Sequence, residues 1–503
     1  MKMPENFLNY KLSFWKNARW IPITAILAAG LLLRLTQLNS SLWFDELWST
    51  SMRLGNLSAL TRTVVTDNHP PFFSVFIFLW ARLFGESEIS LRLPSLIFGV
   101  SSIFLVYAIA LRYADRKTAL LSSLLLCLSP AHIWYSQEAR LYSALLFFSL
   151  LLVLAYFKIE KTNTYSIWYP VYFCALLAAV FCHYYMLVYL VGIPIICLLG
   201  CKNNRPRRAI LVFHAVVFAL FCLFMLLKVR FGNFHAGLGH LHPFTFFGML
   251  ALFFDWFSFG NSLWGMRPYY PAIYCAQIFL LILLIRGLIL NCRAPENRYG
   301  RYITLCLLAI PAILLGFTWA GFKHVYIERS TLVILPFFYM TLARGTTGFK
   351  NKKIARASVS VLVALSIIGL LGFLTKSDKW TVYKVKPDWR SAARYFNNEA
   401  KDKTRQLFIF QASSSDVLCY YFEKQGANPE QLAFEYFIDK DIYRTVSADR
   451  IKTFYLIKNR YWYGKYFNEK LQVILKDPRF RLLDKQSFKG LEIYKFEVTP
   501  PAA

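Results

Sequence analysis

The chain has 503 residues, of which 57% are hydrophobic and 18% aromatic, and its mean hydropathy is +0.40. This is more apolar surface than a soluble core of that size would use, so the composition indicates a polytopic membrane protein. The formal net charge of +29 would favour nucleic-acid binding in a soluble protein. Here the basic residues form short clusters between apolar runs, where they orient helices, which makes nucleic acid the weaker interpretation.

Eleven apolar runs approach the roughly 20 residues that a membrane-spanning helix needs. They lie at about residues 20–38, 90–111, 118–134, 139–157, 165–182, 184–200, 209–227, 271–290, 302–320, 328–343 and 356–374. Basic residues precede the first run, and nothing like a small-x-small cleavage site stands before a plausible mature start. We therefore interpret the first run as a retained signal anchor. The pattern predicts a polytopic α-helical membrane protein.

One further apolar run, Phe72 to Phe84, holds 13 residues, which is too short to cross a bilayer. It follows Pro70-Pro71 and contains Arg82 near its end, so an interfacial or re-entrant helix fits it better. The basic residues support this interpretation. When the run is left uncrossed, the dense Lys and Arg clusters between later spans all fall on the side of the N-terminus, which the positive-inside rule makes cytoplasmic.

The same topology predicts what lies on the outer face of the inner membrane. That face carries a long first external loop at about residues 39–89 with interfacial helices, the tight turn from Tyr135 to Arg140, and everything after Thr375. The chain is thus expected to have a transmembrane domain at 1–374 and an external, periplasmic domain at 375–503, which is a normal domain length.

The C-terminal domain is predicted to be a small mixed α/β fold. Short apolar runs at Leu407–Phe410, Phe454–Ile457 and Leu491–Phe496 are typical of strands, and helical patterns follow Asp388 and Ser415. It contains no nucleotide-binding glycine loop and no nucleophile elbow, so the sequence alone does not assign it a role.

Two adjacent carboxylates, Asp45 and Glu46, follow the aromatic pair Trp43-Phe44 where the first span ends. A carboxylate at a membrane surface can deprotonate an acceptor hydroxyl or amine, and partial desolvation would raise its basicity. The alternative is structural, because an acid at a helix start also caps or charges the first turn.

A second pair of charges, Glu138 and Arg140, lies in a very tight turn between two spans. Charges so close to the hydrocarbon boundary are costly unless they pair or bind something, so a structural ion pair and a ligand site are both open.

Three further residues are candidates for binding the phosphate of a lipid. His69, which could bind phosphate or a metal, precedes two prolines that stiffen the backbone, and Arg92 and Arg329 lie at outward ends of spans. Each has a structural alternative, since histidines are often only hydrogen-bonded and arginines at span ends often snorkel to headgroups. His240 and His242 have a spacing that a metal could use only in an extended loop, so no metal ligand is assigned.

The order of these motifs resembles the bacterial membrane glycosyltransferases of the GT-C superfamily, in the branch of the protein mannosyltransferases and the aminoarabinose lipid A transferase. The resemblance rests on Trp43-Phe44-Asp45-Glu46, Asp67-Asn68-His69-Pro70-Pro71, Leu91-Arg92-Leu93-Pro94-Ser95 and Tyr135-Ser136-Gln137-Glu138-Ala139-Arg140-Leu141-Tyr142, with Tyr326 to Arg329 and Pro387-Asp388-Trp389-Arg390 as weaker matches. It covers residues 40 to 145 best.

The resemblance implies an inverting transferase that takes a sugar from a polyprenyl-phosphate carrier and passes it to a lipid, glycan or protein acceptor. It implies Asp45 as catalytic base with Glu46 as the adjacent candidate, and it implies Arg92, Arg140 and Arg329 as cations for the leaving phosphate, with His69 and Glu138 nearby. The aminoarabinose transferase has a lysine near its paired prolines, whereas His69 stands here as in the mannosyltransferases. The phosphate contact at that position therefore stays open. The sequence also leaves open whether the protein needs a divalent metal.

Two other classes of function remain as alternatives. A transporter or flippase of lipid-linked sugars would carry charged or broken-helix residues near mid-membrane, whereas the ionisable groups here cluster at span ends. A membrane scaffold protein with an external binding domain would use the acids only structurally.

Overall fold

The computed structural model describes residues 20–50, 58, 60, 61, 64, 67, 69–160, 166–200, 204–231, 256, 258, 270–293, 297–321, 328–376, 381–400, 407–411, 415–436, 442, 451–459 and 464–499. These residues form two compact units. The first unit contains the described residues up to Leu38 and those from 58 to Tyr383. The second contains those from Asn39 to 50 and from Lys384 onward.

The described part of the first unit is helical. Its helices are α1 (Ile21–Leu35), α3 (Phe72–Phe84), α4 (Glu88–Tyr113), α5 (Arg116–Leu128), α6 (Pro130–Tyr135), α7 (Tyr142–Glu160), α8 (Trp168–Cys182), α9 (Leu187–Gly200), α10 (Asn204–Phe231), α11 (Tyr270–Cys292), α12 (Arg298–Trp319), α13 (Leu335–Thr347) and α14 (Lys352–Thr375), with 3₁₀ turns at Tyr184–Met186 and Glu328–Ile334. α2 (Phe44–Thr50) belongs to the second unit.

Each of the eleven predicted spans coincides with helical structure, which confirms the prediction of a polytopic helical membrane protein. By length and composition, six of the described helices are able to cross a membrane: α4, α7, α10 from Pro206, α11 from Pro271, α12 and α14. α3 has the predicted bounds. The residue that follows and caps it is Gly85, whose φ of 80° suits glycine. At 1.5 Å per residue its 13 residues are about 20 Å long, which is less than the hydrocarbon thickness.

The predicted span at 118–134 consists of two helices in the structure. α5 ends at Leu128, and α6 begins anew at Pro130. Proline pushes the residue before it out of the helical region, and Ser129 accordingly has φ −64° and ψ 118°. The Ser129 hydroxyl then caps α6 by accepting a hydrogen bond from the His132 N–H. The break turns the chain toward the Tyr135–Leu141 turn.

Polar groups from the end of α1 fix that turn. The buried Arg34 guanidinium donates to His132 Nδ1 at 2.7 Å and to Ser136 Oγ at 3.3 Å. The Gln137 amide donates to the Thr36 carbonyl at 2.7 Å and to the Leu33 carbonyl at 3.1 Å. Buried polar groups are costly unless they are hydrogen-bonded, so these contacts hold the turn in one conformation.

The second unit is a mixed α/β fold, as predicted. Its strands β1 (Leu407–Gln411), β2 (Leu432–Tyr436), β3 (Thr453–Asn459), β4 (Phe480–Phe488) and β5 (Leu491–Val498) form one sheet in the order β2-β1-β3-β5-β4, and its helices are α2, α15 (Trp389–Glu399), α16 (Asp416–Glu423) and α17 (Gly464–Lys476). β1 is parallel to β2 and β3, whereas β5 is antiparallel to β3 and β4. The strands predicted at β1, β3 and β5 are confirmed, and the sequence analysis did not predict β2, β4 or α17.

Alternate residues of the sheet face two hydrophobic cores. One core contains Ile409, Ile457 and Ile493 with α15, α16 and Leu47 of α2. The other contains Phe454 and Phe496 with the apolar face of α17. Leu47 is 2% exposed, so the helix that carries Asp45 and Glu46 is part of the packing of this unit.

Candidate active site

The two adjacent carboxylates of α2 lie in different surroundings. Glu46 is 0% exposed, its Oε2 accepts from the Trp43 N–H at 3.3 Å, and its Oε1 lies 3.5 Å from Lys386 Nζ. The first contact is half of a capping box, in which the third helical residue reaches back to the helix start. The second is a buried ion pair. These two contacts favour a structural role for the Glu46 carboxylate.

Asp45, in contrast, is half-buried. Successive residues of an α-helix point about 100° apart, so a helix that turns Glu46 into the protein turns Asp45 toward its boundary. A half-buried carboxylate is partly desolvated and still accessible, which is the setting that a general base at a membrane surface needs.

In the first unit, Glu138 and Arg140 lie in the turn that Arg34 and Gln137 hold. Glu138 is 0% and Arg140 5% exposed. The Arg140 N–H donates to the Glu138 carbonyl at 2.8 Å, and the Ser95 hydroxyl donates to the Arg140 carbonyl at 3.2 Å. The backbone of the turn is therefore fixed at both residues, and the two charged side chains are buried.

Arg329 reaches the same place from a distant part of the chain. The guanidinium carbons of Arg140 and Arg329 lie 5.8 and 5.9 Å from the centroid of the Tyr142 ring. An aromatic face attracts cations, and the Tyr142 ring brings these two guanidinium groups to one place, where the carboxylates of Glu138 and Glu328 also act on the neighbouring Tyr135. Arginine forks match phosphate oxygens, so the arrangement suits an anionic ligand.

Two histidines accompany these arginines. The rings of His69 and His183 lie 5.4 Å apart. His183 is buried between α8 and the following 3₁₀ turn, and its Nδ1 accepts from the Tyr185 N–H at 3.1 Å. Burial, together with the nearby charges of Arg329 and Arg140, lowers the pKa of His183 to about 3. His183 is therefore neutral at pH 7, with its proton on Nε2.

Lys228 of α10 connects Asp67, which precedes α3, to Tyr184, which follows α8. Its ammonium group donates to the Asp67 carbonyl and, at 2.9 Å, to the Tyr184 hydroxyl. Asp67 begins the motif that contains His69, and Tyr184 follows His183. Sequence analysis missed both Lys228 and His183, because a lysine at a span end is typical of a membrane boundary and an isolated histidine carries no spacing signal.

The remaining candidate, Arg92, has different partners. Its side chain is fully buried and donates to the Leu38 carbonyl at 2.7 Å and to the Gln37 carbonyl at 3.3 Å. These carbonyls follow the end of α1, where backbone acceptors lack helical partners. The contacts favour a structural role, and the phosphate role of Arg92 stays a prediction.

The structure brings some of the sequence-predicted residues together. Arg140 and Arg329 converge on the Tyr142 ring, the charges of both lower the pKa of His183, and the His69 ring contacts the His183 ring. Asp45 and Glu46 belong to the second unit. Within the described ranges, no group of three His, Cys, Asp or Glu side chains is placed to hold a metal ion. His240, His242 and Tyr326 lie outside those ranges.

Comparisons with known proteins point to one class. Residues 68–229 match the family model described as dolichyl-phosphate-mannose-protein mannosyltransferase. Protein O-mannosyl-transferase 1 of Rattus norvegicus is 29% identical over 202 residues, which covers 36% of this chain and 25% of the relative. The chain thus spans about a quarter of the length of that curated relative.

Solved structures match nearly the whole chain. ArnT from Cupriavidus metallidurans, in a structure bound to undecaprenyl phosphate, gives a TM-score of 0.56 at 13% identity over 94% of this chain and 97% of that one. The archaeal oligosaccharyltransferase AglB from Archaeoglobus fulgidus, in complex with an inhibitory peptide and a dolichol-phosphate, gives 0.52 at 10% identity over 89% and 70%. At these identities the likeness shows the fold.

The chain thus shares its fold with these two solved structures, and residues 68–229 match the model of a mannosyltransferase family. Both findings support the resemblance to the GT-C membrane glycosyltransferases seen in the motifs. Within that class, residues 68–229 are similar to the protein mannosyltransferases, whereas the fold of the whole chain is similar to ArnT.

Proposed function

We propose that the chain is a glycosyltransferase that takes a sugar from a polyprenyl-phosphate carrier and passes it to a lipid, glycan or protein acceptor. The observation that carries this proposal is the convergence of Arg140 and Arg329 on Tyr142, beside His183 and His69. The undecaprenyl phosphate bound in the ArnT structure, whose fold this chain shares, supports the same donor class.

The arginines are the proposed binding groups for the carrier phosphate. When the sugar leaves, negative charge develops on the phosphate oxygens, and preorganised cations stabilise that charge most where water is excluded. His183 is proposed to add a neutral N–H donor beside the two arginines. Lys228 holds the loop that carries His69, so we assign it a supporting role there.

Asp45 is the proposed general base. It accepts the proton of the acceptor hydroxyl or amine while the freed electron pair of that group attacks the anomeric carbon. The bond between this carbon and the phosphate oxygen breaks, and the polyprenyl phosphate leaves with the bonding electron pair. In the proposed step the acceptor attacks once, from the face opposite the phosphate, so the configuration at the anomeric carbon inverts. The ion pair and the capping bond of Glu46 favour a structural role for that residue.

The proposed setting is the outer face of the inner membrane. The grouping of basic residues supports a cytoplasmic N-terminus and an external C-terminal domain. In that topology the predicted external loop and the turn at Tyr135–Arg140 lie on the face where lipid-linked sugars would be consumed.

The test is turnover by the purified chain in lipid nanodiscs. A panel of polyprenyl-phosphate sugars is supplied with envelope lipids as acceptors, and released polyprenyl phosphate and new glycosylated products are measured by mass spectrometry. Release of polyprenyl phosphate together with a sugar increment on an acceptor supports the proposal. Movement of an intact lipid-linked sugar across liposomes without release would support a transporter, and no change with any donor or acceptor would leave the scaffold alternative.

A further inference from the structure

The C-terminal domain has no role in the reaction as proposed so far, and the contacts of the segment 39–50 suggest one. That segment carries Asp45 on α2, which is only seven residues long. Isolated helices shorter than about 12 residues are marginal in water, so α2 depends on contacts from elsewhere. Its orientation, and with it the direction of the Asp45 carboxylate, is set by whatever holds it.

The second unit holds the segment along its whole length. Before α2, the Arg390 side chain donates to the Asn39 carbonyl at 3.1 Å, and the Arg390 N–H donates to Ser41 Oγ at 3.2 Å. At the start of α2, the Leu42 N–H donates to the Tyr421 hydroxyl at 2.7 Å. These three contacts fix the backbone that leads into the helix.

Within α2, Leu47 makes the apolar contacts to the rest of the unit and Glu46 makes the ion pair. Leu47 packs into the hydrophobic core with α15 and α16. Glu46 forms the ion pair with Lys386. The Glu46 side chain is 0% exposed and the Lys386 side chain is 3% exposed. A buried carboxylate that loses its cation is left as an uncompensated charge, so this pair constrains the rotation of α2 more strongly than a surface pair would.

We propose that Lys386 is a positioning residue, which acts through Glu46 to set the orientation of α2 and so aims the Asp45 carboxylate at the acceptor. The second unit then holds the catalytic base in place, through a lysine that lies 340 positions after Glu46 in the chain. This inference rests on the proposed function for the role of Asp45. A displaced base costs turnover, because transfer rates are sensitive to misplacement of about 1 Å.

The test compares three variants of the full-length chain in nanodiscs. Lys386→Met removes the charge and keeps the length, Lys386→Arg restores the charge, and Lys458→Met is the matched control. Lys458 of β3 forms an ion pair with Glu492 of β5 at 3.1 Å in the same unit. The two side chains are 18% and 11% exposed. Hydrogen exchange of residues 44–50 and the kcat and KM for the lipid donor are measured for each.

We expect Lys386→Met to raise hydrogen exchange in α2 and lower kcat about tenfold or more, with the donor KM within about twofold of wild type. Lys386→Arg should restore most of the hydrogen-exchange protection of α2 and most of kcat. Lys458→Met should change neither the exchange of α2 nor kcat. Unchanged exchange in α2 of Lys386→Met, or an equal loss of kcat in Lys458→Met, overturns the proposal.

A second variant keeps the test decisive if Lys386→Met does not fold. Glu46→Gln retains an acceptor for the Trp43 N–H but removes the ion pair, and it is expected to reproduce the exchange and the kcat loss. Unchanged exchange and kcat in Glu46→Gln count against the proposal. If α2 loosens in these variants while the wild-type chain turns over no donor, the positioning contact stands and the proposed function is what fails.

Discussion

Two short segments, 42–50 in the second unit and the turn 135–142 in the first, each place two charged candidate residues next to aromatic rings. In the turn both Glu138 and Arg140 are buried. In the helical segment only Glu46 is buried, and Asp45 is left at the boundary. A regular helix separates neighbouring side chains by about 100°, whereas an irregular turn can draw both inward. Charges that are adjacent in sequence therefore need not share a role.

The segments also differ in where their partners come from. Arg140 shares the ring of Tyr142, two residues away, with Arg329. Glu46 is paired with Lys386, 340 residues away. We expect changes in the turn to act on ligand binding in the first unit, and changes in the helical segment to act on turnover. The predictions below would break or sharpen that distinction.

The largest expected effect in the first unit is on donor binding. Arg329→Gln or Arg140→Gln removes a charge-assisted contact to phosphate, so the Kd for undecaprenyl phosphate should rise about 10- to 100-fold. This Kd is measured by titrating the protein in nanodiscs with undecaprenyl phosphate at fixed ionic strength. Arg82→Gln, which changes an exposed arginine of α3, is the matched control and should keep wild-type affinity. An equal loss in the control would mean that general surface charge, and not the pair at Tyr142, attracts the phosphate.

A smaller effect, on stability, is expected at Arg92. Arg92→Met removes its charge-assisted bonds to the Leu38 and Gln37 carbonyls, so the free energy of unfolding should fall by about 2–3 kcal/mol. The Kd for undecaprenyl phosphate should stay near wild type in the folded protein. Thermal unfolding and the same titration check both quantities. A loss of affinity with stability intact would instead restore Arg92 as a phosphate ligand.

The smallest effect concerns pH. Because the pKa of His183 is lowered to about 3, its contribution to stability is full above the unfolded value near 6.5 and is lost as pH falls toward 3. Each pH unit in that window costs up to about 1.4 kcal/mol, so unfolding at pH 5 should be easier by about 2 kcal/mol than at pH 7. His183→Gln should flatten this dependence in denaturant titrations. An equally steep dependence in the variant would assign the effect to another group.

Local patterns in the sequence predicted much of the fold. The bounds of α3 follow from an apolar run set between Pro70-Pro71 and Gly85, and the Asp388 side chain caps α15 where a helix was expected. The eleven long apolar runs are helical because a chain in lipid must satisfy its backbone internally. Ser129-Pro130 was the exception, since the apolar run continues through a proline that breaks the helix.

The candidate site was predicted less completely, because its contacts join residues that are distant in sequence. Neither the pairing of Glu46 with Lys386 nor the closeness of Arg140 and Arg329 leaves a local pattern. His183 and Lys228 each stand at the end of an apolar helix, where their sequence context resembles an ordinary span boundary. Only tertiary packing brings these groups to their partners.

The central claim is that Asp45 is the base of a transfer from a polyprenyl-phosphate sugar. The most direct measurement is the rate of transfer by Asp45→Asn at saturating donor, with donor binding determined on the same sample. The account predicts a loss of about 10²- to 10⁴-fold in rate with the Kd for undecaprenyl phosphate within about twofold of wild type. Transfer by Asp45→Asn at the wild-type rate would contradict it.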